Sequence, residues 1–351
     1  MQNELSLITN NLKKKIVFIV EHSVIKGYYP LERTAILAKS LKDEENVYVF
    51  LKQEGPESIE IFTDLQLSPI LFDHYDELKT QIRSLEPDLI VQDGKDTLIE
   101  HIEQLRPFCK TIVHFDDFGE GGQLADCNIV ALYEETRENT AQNILAGTYA
   151  FAVKDTLKKI AEERVSNELS NPPHIVVAYE DGDENNLTYR TLRHLTQLQI
   201  PLKITVAIDR EYRHSIEDLQ MMVLSRRNTK IFKDEQALEK LLQEADIVIC
   251  NANYTPYKVA TVGIPCITAA QNERELNNAF PREHNGFIHL GLGRKMKQSN
   301  IQNAVMELLL HEARRERAVR KQFELEITDN NDVLKSLLLD FAYERHNMVS
   351  L

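Results

Sequence analysis

Short apolar runs alternate with amphipathic segments along almost the whole chain, and no other feature limits the possible folds so sharply. Ile16–Val20, Val47–Leu51, Pro69–Phe72, Asp88–Gln92, Thr111–Phe115 and Asn128–Leu132 have the length and unbroken hydrophobicity of strands covered on both faces. Leu31–Leu41, Glu77–Leu85 and Leu98–Leu105 lie between them and read as helices. Strands separated by helices are joined by crossovers, which makes the sheet parallel and places helices on both of its faces. A helix is expected over Phe151–Leu169, and Ser170-Asn171-Pro172-Pro173 ends it, because two prolines cannot continue a helix. The plan then repeats. His174–Tyr179, Leu202–Ile208, Thr229–Phe232, Ile247–Cys250, Ile264–Ile267 and Phe287–Leu290 read as strands. Leu187–Leu198, Ser215–Leu224, Asp234–Gln243, Ile301–Phe323 and Val333–Tyr343 read as helices. The expected fold class is therefore α/β, with two doubly wound parallel-sheet domains facing a cleft. They are expected to span 1–170 and 171–351, with the last helix able to pack back on the first domain; residues 1–15 read as a frayed, polar lead-in.

A length of 351 residues suits two such domains. The formal net charge of −14 disfavours a nucleic-acid or anionic-membrane binder, since both need a basic footprint. Even the Glu312–Lys321 segment alternates in sign and reads as a solvated helix face. Lys13-Lys14-Lys15 precede only five apolar residues, so no signal peptide is expected, and no run approaches the roughly 20 apolar residues of a membrane span. Cys109, Cys127, Cys250 and Cys266 are not in CxxC spacing, which argues against a zinc or redox motif; Cys250 and Cys266 are expected as buried thiols. A cytoplasmic protein is expected, with no metal and no cofactor.

The segment Ala245–Asn272, ADIVICNANYTPYKVATVGIPCITAAQN, holds the clearest candidate site. The strand ending at Cys250 delivers Asn251-Ala252-Asn253 to the carboxyl edge of its sheet, where open α/β sheets hold ligands. Thr255 can cap the helix that follows, Pro256 suits its first turn, and Gly263 ends it. A helix N-terminus at that edge presents free N–H groups and a positive dipole end, which suits a phosphate. An ordinary αβ unit with nothing bound is the alternative.

Five segments, taken in order, resemble a family. They are Gly27–Arg33 with the AILAKSL helix, DLIVQDG at 88–94, TIVHFDDFGEGGQLADCNIV at 111–130, HIVVAYEDGDENNLTYRTLRHL at 174–195, and the segment just described. Together they resemble the glycosyltransferase-like sugar-nucleotide hydrolases of nonulosonic-acid and spore-coat polysaccharide pathways, which include the pseudaminic-acid pathway UDP-sugar hydrolase. More distantly they resemble the lipid-linked N-acetylglucosaminyl transferase of peptidoglycan synthesis. The resemblance implies a GT-B fold of two Rossmann-like domains, with the nucleotide on the second. It implies a nucleotide-sugar substrate, UDP-sugar above all, and a hydrolase or glycosyltransferase serving surface or spore-coat polysaccharide.

The chain departs from that family where ligand would be held. The family's first loop reads glycine-x-glycine-histidine; here Lys26-Gly27-Tyr28-Tyr29 carries no histidine. A Gly-Gly phosphate loop becomes Glu180-Asp181-Gly182-Asp183, whose acids would repel a diphosphate. A family glutamate becomes Lys258, which can meet a phosphate as a point charge or sit idle on the surface. The closing asparagine-glutamine pair survives in part as Gln271-Asn272. His22 could replace the missing histidine as general acid or base. Asp116 and Asp117 stand at a strand's carboxyl end, although neighbouring strand residues point to opposite faces and do not form a close pair. His114 beside them is a base or a satisfied core residue. Gly27, Tyr28, Arg33 and Asp93 are expected on the sugar side, with Tyr28 stacking or packing and Arg33 structuring the first loop. Gly182, Asn253, Tyr254, Thr255, Lys258, Gln271 and Asn272 are expected on the nucleotide side. Gly119-Glu120-Gly121-Gly122 reads as a mobile loop. The alternative to an enzyme is a catalytically weakened relative that serves as a binding or assembly partner within the same pathway.

Overall fold

The computed structural model describes residues 13–23, 25–53, 55–134, 143–164, 168–224, 226, 228–234 and 237–344. The lead-in expected over 1–15 and the end of the helix expected over Phe151–Leu169 lie partly outside them. Two compact units emerge. The first falls within Met1–Ala131, Arg137–Ala152 and Asp329–Leu351, and the second within Leu132–Thr136 and Val153–Thr328.

The first unit contains β1 (Lys15–Val20), β2 (Asn46–Lys52), β3 (Ile70–Phe72), β4 (Leu89–Asp93), β5 (Thr111–Phe115), β6 (Cys127–Val130) and β7 (Ile144–Ala146). They form one sheet in the order β3-β2-β1-β4-β5-β6-β7, and every pairing is parallel. The second unit contains β8 (His174–Ala178), β9 (Lys203–Ile208), β10 (Thr229–Lys233), β11 (Ile247–Cys250), β12 (Cys266–Ala270) and β13 (Phe287–Leu292), ordered β10-β9-β8-β11-β12-β13 and again wholly parallel. In each sheet the strand order reverses beside the first strand, between β1 and β4 and between β8 and β11. In doubly wound sheets that reversal opens a crevice at the carboxyl edge.

The apolar runs account for both cores. Strands β4, β5, β8, β11 and β12 are buried at every residue. On one face of the first sheet, Ile19, Ile90 and Ile112 pack with Leu78 and Ile82 of the helix Tyr75–Leu85 and with Ile102 of the helix Ile99–Leu105. The helix Tyr29–Leu41 buries Leu31, Ala35, Leu37, Ala38 and Leu41 completely, the five positions its periodicity marks for the sheet side. The four cysteines are free and buried, and the Cys250 and Cys266 sulfurs lie 3.6 Å apart on neighbouring strands.

Several elements depart from the sequence reading. Pro56–Thr63 is a helix that was not expected, with Pro56 in its first turn, and β7 extends the first sheet by a short edge strand. The long helix expected over Ile301–Phe323 is two, Gln298–Leu310 and Glu312–Phe323. His311 leaves the helical region between them, with φ −117° and ψ 92°, and the buried Arg315 donates to the Leu308 carbonyl that the break exposes at 2.7 Å. Among the described residues of Phe151–Leu169, the helix covers Asp155–Glu163. Phe151 is instead spent in the first unit, stacked on the Tyr29 ring at 4.6 Å. Asp155–Glu163 packs against the helix Thr255–Val262 in the second. The last helix, Asn330–Ala342, lies against Tyr29–Leu41 and belongs to the first unit. No described helix is long and apolar enough to cross a membrane.

Candidate functional site

At the carboxyl edge of the first sheet a buried guanidinium organises the candidate residues. Arg33 is fully buried and donates from Nε and Nη2 to the two oxygens of Asp93 at 2.7 and 2.9 Å, and from Nη1 to Asp116 Oδ2 at 2.8 Å. Its plane lies over the Phe115 ring at 4.3 Å and the Tyr29 ring at 5.1 Å. Burial pushes the Asp93 carboxyl up, and the Arg33 charge opposes that shift. Asp116 sits in the left-handed region at φ 48°; its Oδ1 accepts from Ala131 N at 2.8 Å and its own N–H donates to Ile129 O. Both its oxygens are thus engaged inside the protein.

Asp117 points elsewhere, because β5 ends at Phe115 and Asp116 turns the chain through the left-handed region. Its Oδ2 accepts from Thr97 Oγ1 at 2.5 Å and meets His114 Nδ1 at 2.6 Å; its Oδ1 accepts from the Thr97 and Gly119 amides at 3.0 and 2.8 Å. Burial alone would raise this carboxyl, but the His114 and Thr97 hydrogen bonds outweigh it and hold the group at about 2. His114 is completely buried, and so is a core residue oriented by a carboxylate. The 119–122 loop, expected to be mobile, is packed instead: Gly121 N donates to Thr97 O at 2.9 Å, and a Cβ at Gly121 would lie 2.3 Å from Thr97 Oγ1. Around the first loop, His22 and Tyr28 are half-buried with ring centroids 4.6 Å apart, Gly27 takes φ 61°, and the buried Lys26 pairs with Asp96 at 3.0 Å.

In the second unit the β8–β11 crevice is filled by the protein's own carboxylates. The loop after β8 turns back sharply, with positive φ at Asp181, Gly182 and Asp183. Asp181 Oδ2 accepts from Asn251 Nδ2 at 3.0 Å and Asn253 Nδ2 at 2.8 Å. Glu180 reaches the helix Thr255–Val262. Its Oε2 lies 2.8 Å from Thr255 Oγ1, and both its oxygens lie within 3.3 Å of Lys258 Nζ. Gln271 fastens the loop from the β12 side, donating to Glu180 O at 2.8 Å and accepting from Glu184 N at 3.1 Å. Asp183 turns inward and caps the helix Leu187–Leu195, accepting from Leu187 N at 2.6 Å and Thr188 N at 2.8 Å. Asn272 likewise accepts from Glu275 N and starts a short helix, and the Tyr254 ring is buried. The crevice therefore brings together Asn253, Thr255, Lys258 and Gln271. Gly182 lies at the turn of the acidic loop, with φ 83°.

Burial pushes Asp181 well above its ordinary range, with Glu180 adding to the effect. It also carries Asp209 and Glu275 to about 7. Sequence reasoning missed Glu275, a buried carboxylate whose Oε2 accepts from Ala252 N at 3.0 Å and Gln271 N at 2.8 Å. Its position four residues after Gln271 was the available signal. Because its folded pKa exceeds the unfolded value, its stabilisation is fully present below about pH 4 and is lost as pH rises through 7. Thermal unfolding of wild type should therefore lose more stability between pH 5.5 and 8.5 than Glu275→Gln does, by about 1–3 kcal/mol. Parallel pH profiles for the two proteins would contradict this assignment.

No protein-family model matches the chain. An uncharacterized protein of Methanocaldococcus jannaschii is 22% identical in an alignment of 271 residues that covers 74% of this chain; the chain spans 56%, about half, of that protein's length. Among solved structures, MurG of Acinetobacter baumannii superposes with a TM-score of 0.65 at 14% identity, covering 93% of this chain and 100% of that one. The fold is GT-B. A Neisseria meningitidis UDP-GlcNAc 2-epimerase, solved with UDP-GlcNAc bound, shares it with a TM-score of 0.58 at 11% identity, covering 93% and 100% of the two chains. At such low identity the GT-B likeness speaks for the fold alone.

Proposed function

We propose that this GT-B protein is a cytoplasmic nucleotide-sugar enzyme, a hydrolase or glycosyltransferase that uses a UDP-sugar in surface, spore-coat or nonulosonic-acid polysaccharide synthesis. The observation that carries the reading is the anion receptor at the β8–β11 crevice. The Thr255 hydroxyl, the Lys258 ammonium and the amides of Asn251 and Asn253 converge there on two carboxylates, at the N-terminus of a helix. A diphosphate offers the same chemistry to the same donors. Lys258 and Thr255 hold the diphosphate in this reading. Asn253, Tyr254, Gln271 and Asn272 orient the nucleoside, and Gly182 lets the acidic loop yield. Water or an acceptor hydroxyl bonds to the anomeric carbon as the bond to the diphosphate oxygen breaks, and His22 takes the proton. Gly27 and Tyr28 belong to the sugar side. Arg33, Asp93, Asp116 and Asp117 keep the first unit's carboxyl edge in shape and act as positioning residues.

Glu180 and Asp181 favour a second reading, because they already fill the receptor. In it the chain is a weakened relative that keeps the fold as a binding or assembly partner within the pathway.

Thermal unfolding with UDP, CMP, GDP and UDP-sugars separates the two. UDP at 100 times its dissociation constant should add about 2.7 kcal/mol of stability, and Thr255→Ala should weaken the response. No shift with any nucleotide at millimolar concentration would overturn the enzyme reading in favour of the partner.

A further inference from the structure

The second unit carries a basic pocket of about 640 Å³ whose lining includes neither Thr255 nor Lys258. One wall is the face of the helix Leu187–Leu195 that presents Arg190, Arg193 and His194. The other is the turn Lys295–Gln298, which leads into the 13-residue helix Gln298–Leu310. We propose that this pocket binds a diphosphate group.

Four observations support it. First, Arg190, Arg193, Lys295 and Lys297 line the pocket and no carboxylate does, in a chain whose formal net charge is −14. A cleft lined by one sign of charge focuses the field and raises the local concentration of counter-ions. Second, Arg190 is already anchored, donating to Gly293 O at 3.1 Å and Arg294 O at 2.6 Å. It ties the two walls together, while Arg193, Lys295 and Lys297 are exposed at the rim. Third, Lys297 is the N-cap of the following helix and Gln298 its first residue, so the positive dipole end of that helix lies at the pocket. Fourth, His194 lines the pocket at 6% exposure, and its buried Nδ1 has no hydrogen-bond partner among the described residues. Buried polar nitrogens are normally satisfied, and an anion seated in the pocket would favour the protonated imidazole through its charge, with Nδ1 itself lying just beneath the pocket surface. Burial, with Arg193 and Arg190 beside it, lowers the His194 pKa in the protein by itself; a bound anion reverses the sign of that local field.

The cations fix the chemical class. A single phosphate carries about −1.5 to −2 charges, so four cations distributed over two walls match two linked phosphates better than one. The volume falls within the roughly 300–1,000 Å³ range of small-ligand sites. Free pyrophosphate and the diphosphate of a nucleotide share this chemistry. The inference is independent of the function proposed above, because none of its residues belongs to the crevice at Thr255 and Lys258.

Calorimetric titration with sodium pyrophosphate at low salt, beside NMR titration of the His194 ring, provides the test. Wild type should bind, and the His194 pKa should rise on saturation. Lys295→Gln/Lys297→Gln should bind at least about tenfold more weakly with an unchanged unfolding midpoint, since both lysines are exposed. UDP provides the second arm. If it displaces pyrophosphate and loses affinity in the double variant, the ligand is a nucleotide; if it does not compete, the ligand is inorganic, and either result keeps the pocket. Unchanged pyrophosphate affinity in the double variant, a His194 pKa that does not move, or no binding by wild type at millimolar concentration would overturn the proposal.

Discussion

Replacing Arg33 with methionine is expected to cost the first unit about 3–5 kcal/mol of stability, the range for removing one partner of a buried ion network. The cause is what stays behind. Asp93 and Asp116 are both inside the protein, 4% and 0% exposed, and Arg33 is the cation that both share. Methionine fills much of the volume and still packs on Phe115 and Tyr29, so the loss isolates charge rather than packing. Lysine in its place keeps the charge but cannot donate to both carboxylates in the same plane, and should cost about half as much. Adding Asp93→Asn and Asp116→Asn to the methionine variant should recover part of the stability, because the uncompensated charges are then gone. Urea unfolding followed by a probe in the first unit measures all four proteins. A methionine variant within 1 kcal/mol of wild type would show that the network is not needed to hold β4 and β5 to the helix Tyr29–Leu41.

Much of the scaffold was legible in the chain because burial on both faces writes itself as continuous hydrophobicity. Strands such as Ile247–Cys250 contain no polar residue at all, and the order of strands and crossover helices then leaves few topologies open. Elements whose form depends on a tertiary partner were not legible. Phe151 reads as part of the same helical segment as Leu157, yet it stacks on Tyr29 and lies outside the helix. The break at His311 depends on Arg315 capping Leu308, a contact within a segment that reads as one uninterrupted amphipathic helix. β7 is three residues long and pairs along one edge only, too little for a pattern to register.

The site was legible as a place but not as an arrangement. The carboxyl edge of β11 follows from the sequence alone, and so does the helix after it, although Tyr254 and not Thr255 stands at its N-cap and the Thr255 hydroxyl reaches Glu180 and Asn251 instead of capping. The destination of each charge does not, because carboxylates that look repulsive in a row can be drawn apart by separate partners. Asp183 turns into a helix cap, Asp181 takes the amides of Asn251 and Asn253, and only Glu180 faces Lys258. Glu275 reads as one more acid in the ERE run, and only the folded chain buries it against two backbone amides. Asp116, a candidate for chemistry by position, has in Arg33 a buried partner that no local pattern reveals, whereas Asp117 is held by His114 three residues before it and by Thr97 from another loop.

Glu180 is also where the largest functional change is expected. Its carboxylate holds the Thr255 hydroxyl and the Lys258 ammonium, the pair that a phosphate needs. An incoming diphosphate must therefore displace charge-assisted hydrogen bonds that the protein already makes, and only the fraction of molecules with Glu180 turned away can bind. If that fraction is about 1–10%, removing the competitor strengthens apparent UDP affinity by about ten- to a hundredfold. Glu180→Gln preserves the side chain's size and an acceptor for Thr255 while deleting the charge. The backbone of the loop stays fastened, because Gln271 holds it through the Glu180 carbonyl. Burial and Glu180 push the Asp181 carboxyl up toward its neutral form, so the charge facing Lys258 is that of Glu180, and Asp181→Asn should change affinity much less. Calorimetric titration of UDP into wild type and the two variants compares them directly. Tighter binding by Glu180→Gln alone makes the loop an internal competitor for the phosphate site. Weaker or equal binding would mean that Glu180 supports the receptor instead of occupying it, and the diphosphate would have to be sought elsewhere on the second unit.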